Sequence, residues 1–184
     1  MSRTADTDVL EALAREVGAE PAAQLPRLDE LLRTYPEDAR LHFLRGSILI
    51  GEGRPIEAHQ SLTRAVALAP DFAIARFQLG FFQLTSGEAQ DALETWGRLD
   101  ALPDAHYLRK FVDGLRCLIR DDFQGAIEAL RAGIALNQEN PPLNRDMELI
   151  INQCEPLLKA GGEDDGEPVS ETAFILRQFS PREL

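Results

Sequence analysis

Gly46, Gly80 and Gly114 stand 34 residues apart, and Ala58, Ala92 and Ala126 keep the same interval. Two further columns run in that register: Phe43, Phe77 and Phe111, then Leu62, Trp96 and Leu130. Four residue columns over three copies are hard to produce by chance. A fixed period of this length marks a solenoid, in which each unit buries its apolar face only against its neighbours.

Within each period the pattern predicts two helices joined by a tight turn. In the second copy these are Ala73–Thr85, a turn at Ser86-Gly87, and a second helix over residues 88–99. The third copy turns at Asp121-Asp122, where a carboxylate can cap the free amides opening the next helix. Pro21 and Pro55 fall where a second helix begins, a position at which a missing amide does no harm. Pro36 and Pro70 close second helices at the same interval.

The composition narrows the partners. The chain has 184 residues, enough for one domain or a short array with a tail, and its 44% hydrophobic content suits a folded chain. Net charge is -12, the only lysines are Lys110 and Lys159, and the arginines are scattered. Binding a phosphate backbone or an acidic membrane surface needs clustered positive charge, so neither nucleic acid nor membrane is expected as a partner. Residues 1–8 are polar, unlike a signal peptide, and no stretch approaches the roughly 20 apolar residues of a membrane span. A soluble, cytoplasmic protein is the expectation, and abundant Ala and Arg with little Lys fits a GC-rich bacterial genome. Cys117 and Cys154 lack CxxC spacing and read as structural thiols.

The repeats resemble the tetratricopeptide repeat (TPR) family, whose pattern asks for an aromatic, Leu-Gly, an aromatic, Ala-x-x-x-Phe and a closing Pro. The first copy supplies Gly46, Leu49, Ala58, Leu62, Ala65 and Pro70. The second supplies Leu79-Gly80, Ala92, Trp96 and Pro103, and the third Gly114, Phe123, Ala126, Leu130 and a displaced Pro141. One period back, Ala12, Leu28, Leu31 and Pro36 fall in register. The resemblance implies an all-α, TPR-like α-solenoid over residues 1–160: a degenerate copy at 5–38, repeats at 39–72, 73–106 and 107–140, and a capping helix at 141–160. The chain departs from the pattern where His42, Arg76 and Lys110 replace the opening aromatic, and where Arg45 and Asp113 replace the Leu before glycine. Charges there need partners or a path to solvent.

The cap is legible by itself. Leu143, Met147, Ile150, Cys154 and Leu157 form an apolar stripe, as a solenoid's last helix needs, and Pro156 is expected to end or kink it. Residues 161–168 carry Glu163, Asp164, Asp165 and Glu167 with no apolar residue except the closing Pro168, and read as an acidic, flexible linker. After them residues 169–184 turn apolar again as a tail, with Phe174, Ile175, Leu176 and Phe179 as candidate ligand residues.

In TPR proteins the first helix of each repeat lines a concave face. Carried over by position, that face would hold Phe43, Ile74, Phe77, Phe81, Leu84, Leu108, Phe111, Leu115 and Leu118. Ile74, Phe77, Phe81 and Leu84 share one helix face, while Ala75, Leu79 and Phe82 form a second stripe. Two readings stand side by side: a groove that takes a peptide, and a Phe column that packs between repeats. The residues at the positions used to grip acidic chaperone tails are Phe43, Ser47, Gln78, Leu108 and Val112, so a carboxylate clamp is not expected.

Signals of catalysis are weak. His42, His59 and His106 occupy different repeat positions without HExxH spacing, and Gly51-Glu52-Gly53 lacks the lysine of a phosphate loop. No metal, cofactor or catalytic set is expected. The expectation is a non-catalytic scaffold or adaptor that binds an apolar protein or peptide segment. Its own tail is one candidate, bound in cis or swapped into a second copy of a homo-oligomer. A chaperone of the secretion type is the alternative, and an enzyme of unrecognised type the remote one.

Overall fold

A computed structural model of the chain describes residues 4–6, 10, 13, 20–160, 172, 175, 176, 178 and 179. The expected linker 161–168, Phe174 and Ala12 lie outside these residues. Among the described residues the fold is all-helical, without strands. Eight α-helices follow in order: α1 Leu25–Thr34, α2 Ala39–Gly51, α3 Pro55–Leu68, α4 Ala73–Thr85, α5 Ala89–Trp96, α6 Tyr107–Ile119, α7 Phe123–Leu136 and α8 Pro141–Ala160. Short 3-10 turns at Ala22–Gln24 and Gly97–Ala101 extend the series. The described residues divide into two compact units, one ending at Phe82 and one starting at Gln83, so that the division falls within α4.

In the first unit α1 packs on α2, and α2 on α3. Asp38 opens α2 by accepting a hydrogen bond from the Arg40 amide, and Pro55 is the first residue of α3. Gly46 lets the two helices close: a methyl group there would meet Leu62 Cγ at 2.8 Å and the Ala58 carbonyl oxygen at 3.3 Å. Two apolar clusters result. Leu10, Leu13, Leu28, Leu41 and Ile48 form one, while Leu49, Ala58, Leu62, Leu79 and Phe82 form the other.

The charged departures from the repeat pattern in this unit all find partners. Arg45 Nε donates to Asp29 at 2.8 Å, and its terminal nitrogens donate to Ser61 at 2.8 Å and to Glu57 at 3.3 Å. His42 Nε2 donates to the Pro36 carbonyl at 2.9 Å, and Arg76 Nε to the Pro70 carbonyl at 3.0 Å. These two pairs are equivalent, one period apart. A donor at the position of the missing aromatic satisfies the carbonyl at the proline that follows the preceding helix.

In the second unit α6 packs on α7, and α7 on α8. The glycine seat recurs: a methyl group on Gly114 would lie 2.7 Å from Leu130 Cγ and 3.1 Å from the Ala126 carbonyl oxygen. His106 caps α6 by accepting from the Leu108 amide, and Asp122 caps α7 by accepting from the Gly125 amide at 2.9 Å. Met147, Ile150 and Cys154 are buried along α8, as its stripe demands, with Leu143 and Leu157 half-buried. Pro156 does not end α8, which continues to Ala160. The carbonyl that loses its donor belongs to Asn152, an exposed residue where water can replace the missing amide.

The turns carry a further column at the same period. Gly53 has φ 65°, Gly87 φ 87° and Asp121 φ 56°. Each hairpin turns through one left-handed residue, a conformation glycine adopts freely and aspartate tolerates better than most side chains.

Candidate functional site

The residues expected to line a concave face differ in their exposure. In the first unit Phe77 is buried, while Phe43, Ile74 and Phe81 are half-buried. Phe43 meets Phe72 with ring centroids 5.2 Å apart, and Phe77 and Phe81 stack at 6.1 Å, an offset arrangement favourable to aromatic pairs. Ser47, on the same helix as Phe43, donates to Gln78 of α4 at 2.8 Å. The half-exposed rings thus sit on helices whose mutual placement is fixed by packing and a hydrogen bond.

In the second unit Leu84, Leu108, Phe111, Leu115 and Leu118 are all buried. Phe111 lies edge-on to Tyr107 at 5.8 Å and against Gly133, where a methyl group would collide with its ring. That part of the Phe column is a packing element in this conformation.

The tail reaches this second unit. Thr172, Ile175 and Leu176 are helical and buried, Ile175 to 1% exposure and Leu176 to 7%. The Thr172 hydroxyl lies 2.7 Å from the Leu118 carbonyl and 2.6 Å from Asp121 Oδ1, both at the carboxyl end of α6. One proton therefore serves two acceptors. Gln153 of α8 donates to Gln178 at 3.3 Å, and the Phe179 amide closes the turn on the Leu176 carbonyl at 3.0 Å. The segment Thr172, Ile175, Leu176 follows i, i+3, i+4, the spacing of one helix face.

Asp121 links the tail to the repeat pattern. It occupies the left-handed turn position that holds glycine at 53 and 87, and Asp122, not Asp121, caps α7. The described partner of its carboxylate is the tail hydroxyl. The visible signal in the sequence was the replacement of a periodic glycine by an acid, whereas its partner, separated by 51 residues, was not legible.

Sequence reasoning also missed a cleft between α7 and α8. It has a volume of about 440 Å³, with Ile134, Ala135 and Ile151 on its apolar side, and Arg131 bridges it to Glu155 at 2.6 Å. His59 stacks on Phe82, and burial pushes the Cys154 thiol up to about 11. The Cys117 thiol is raised as well, by burial and then by Asp122, the opposite of the shift that activates a thiol. No group of three or more metal-ligating side chains occurs among the described residues. Nor is any helix among them long and apolar enough to cross a membrane.

No protein-family model matches the chain, and no curated protein is similar enough to count as a match.

Proposed function

We propose that this chain is a non-catalytic scaffold, a short α-solenoid of TPR-like hairpins, that binds an apolar helical segment of a partner protein. The observation that carries this reading is the seat of Thr172, Ile175 and Leu176. A short stretch far along the chain lies buried in the second unit, held to α6 by one hydroxyl. Helical surfaces that take such a segment act by burial, with anchors at helical spacing supplying affinity. Two hairpins built on the same glycine seat support the solenoid reading. In the first unit, the half-exposed Phe43, Ile74 and Phe81 offer the aromatic and aliphatic area such anchors need. Each ring enclosed by a ligand contributes on the order of 1.5–3 kcal/mol before ordering costs.

Selection of a random peptide library displayed on phage against the full chain tests this. Enrichment of apolar sequences with i, i+3 or i+4 anchors is expected, with binding at least 10-fold weaker to Phe81→Asp at unchanged helical content. A library that yields no saturable binder would remove the reading.

A further inference from the structure

We propose that the cleft between α7 and α8 is an open repeat position that takes an amphipathic helix of a partner protein, one carrying a lysine or arginine beside its apolar face. This surface is separate from the half-exposed rings of the first unit, and the inference goes beyond the function proposed for them.

The repeat register shows what belongs on this face. Gly46 is covered by Ala58 and Leu62, and Gly114 by Ala126 and Leu130. In both cases the glycine of a first helix receives the second helix of its own hairpin. One period beyond Gly114 stands Glu148, exposed on α8. One period beyond Ala126 and Leu130 the sequence has Ala160 and Asp164. Both sides of the closure have therefore changed, the glycine to a glutamate and the leucine to an aspartate. Two carboxylates repel each other where the other hairpins join glycine to leucine. Glu163, Asp165 and Glu167 beside Asp164 add to that repulsion. The chain's own continuation thus has the wrong charge for this face.

The lining of the cleft defines what would fit. Arg131, Ile134 and Ala135 come from one face of α7 at i, i+3 and i+4. Glu148, Ile151 and Glu155 come from one face of α8 at i, i+3 and i+7. A cleft of about 440 Å³ framed by two helical rows has room for side chains of a third helix laid across it. Its floor is apolar, and its charges are two carboxylates against one guanidinium. Arg131 is already engaged with Glu155 at 2.6 Å, so the charge left to answer is that of Glu148. A lysine or arginine suits both features. Its methylene stem lies on Ile134 and Ile151, and its head reaches the carboxylate at the rim. Apolar burial supplies the affinity, and the exposed ion pair supplies orientation and choice of partner.

The surroundings agree. Leu136, Leu149 and Leu158, on the same two helices, are exposed to 43%, 46% and 40%. Among the described residues only Ile56 joins them as a large exposed apolar side chain. Apolar area concentrated in this way marks an interaction surface. The net charge of -12 draws a basic helix towards the chain and turns an acidic one away.

The test selects on the full-length chain from a phage library of amphipathic helices, with leucines fixed at i, i+3, i+4 and i+7 and the other positions random. Enriched helices should carry lysine or arginine next to the leucine face. As synthetic peptides they should bind about 10-fold more weakly to Glu148→Arg and about 3-fold more weakly to Glu148→Gln. Ala135→Trp, at an exposed position, fills the cleft and should abolish binding with helical content unchanged. Changing the peptide's basic residue to glutamate should restore binding to Glu148→Arg, a charge reversal that a folding defect cannot mimic.

Helices without basic enrichment, or indifferent to Glu148→Arg and Ala135→Trp, would overturn the proposal. So would a wild-type chain that dimerises in sedimentation velocity and loses its dimer on Ala135→Trp, since a second copy would then be the occupant. Binding that emerges only after Glu163, Asp164 and Asp165 are changed to serine would make the chain's own residues the occupant and reject the partner. Peptides sensitive to Phe81→Asp alone would leave the first-unit surface standing and remove this one. Peptides sensitive to Glu148→Arg alone would do the reverse.

Discussion

In the first unit the buried carboxylate of Asp38 accepts from the Ala5 amide at 2.9 Å and from the Arg40 guanidinium at 2.7 Å, while the same guanidinium donates to the Ala5 carbonyl. In the second unit Asp121 accepts one hydroxyl proton from Thr172, shared with the Leu118 carbonyl. Both aspartates stand near a helix end, and both hold a segment distant in sequence. Their chemistry differs: one is an ion pair whose fork also fixes a backbone on both its polar groups, the other a single hydroxyl proton shared between an exposed carboxylate and a carbonyl. A buried ion pair is far more costly to leave half-made than an exposed bond from a neutral donor. The comparison teaches that one segment is built in and the other is seated.

The largest effect should come from Asp38→Ala. It leaves the Ala5 amide and part of the Arg40 guanidinium without acceptor and removes the cap of α2. With Arg40 partly in solvent, we expect a loss of about 3 kcal/mol in urea unfolding followed by circular dichroism. Thr172→Val should lose about 1 kcal/mol or less. Equal losses would break the distinction between the two anchors. Asp38 also predicts a pH signature. Burial pushes its carboxyl up, but the Arg40 guanidinium and the amides of Ala5 and Arg40 outweigh this and hold it below 3.8. The folded value lies below the unfolded one, so the contribution is complete above the unfolded value and is lost as pH falls through the folded one.

The hairpins themselves should respond alike, which sharpens the contrast. Gly46→Ala and Gly114→Ala each force a methyl group into a leucine at under 3 Å, near Leu62 and Leu130 respectively. Overpacking of this kind costs about 1–3 kcal/mol, offset by up to about 1 kcal/mol of helix propensity. A net loss of about 1–2 kcal/mol in both is expected. A clear loss in one and none in the other would mean the two seats are not equivalent.

That equivalence was legible in the sequence, because a glycine column with its Ala and Leu partners records a close helix approach directly. So was the buried stripe of α8. The destination of the tail was not. Its apolar residues and the odd aspartate at 121 could each be seen, but only folding brings Thr172 to Leu118 and Asp121. The fate of the Phe column was likewise hidden, since a ring at an i, i+3, i+7 position fits either a groove or an inter-helix contact. Phe111 is enclosed by Tyr107 and Gly133, whereas Phe81, one turn after the equivalent Phe77, keeps part of its surface open. Asp38 carried a local signal, a cap two residues before Arg40, but nothing pointed to Ala5.

Asp121→Gly tests the seated segment with little disturbance to the hairpin. Relief of a left-handed side chain and the loss of one hydrogen bond act in opposite directions, so global stability should stay within about 0.5 kcal/mol. Hydrogen exchange at the Phe179 amide should nevertheless quicken about 3-fold, since Thr172 loses one of its two acceptors and keeps only the Leu118 carbonyl. Exchange at the Ala5 amide should not change. If both amides respond, or neither does, the carboxylate is not what retains the tail.

The smallest effect should come from Asp146 on α8, whose sign is opposite to that of Asp38. Burial raises its carboxyl above 3.8, and Arg145 lowers it only in part. The folded chain therefore holds the proton to a higher pH than the unfolded chain does. Stability from this group is present at low pH and falls as pH rises from 3.8 through the folded value. Asp146→Asn removes the half-buried charge with almost no change of shape, so the variant should be more stable than the wild type at pH 7, by less than about 1 kcal/mol. Below pH 3.8 the two proteins should converge. Paired urea titrations at the two pH values measure this directly, and the same series on Asp38→Asn should show its deficit shrinking, not its advantage, as the pH falls. If Asp146→Asn were instead destabilising at pH 7, its carboxylate would be serving an ionic contact in the second unit. Asp146 would then join Arg131 and Glu155 as a charge that secures the second unit, and the contrast between a built-in and a seated segment would narrow to the tail alone.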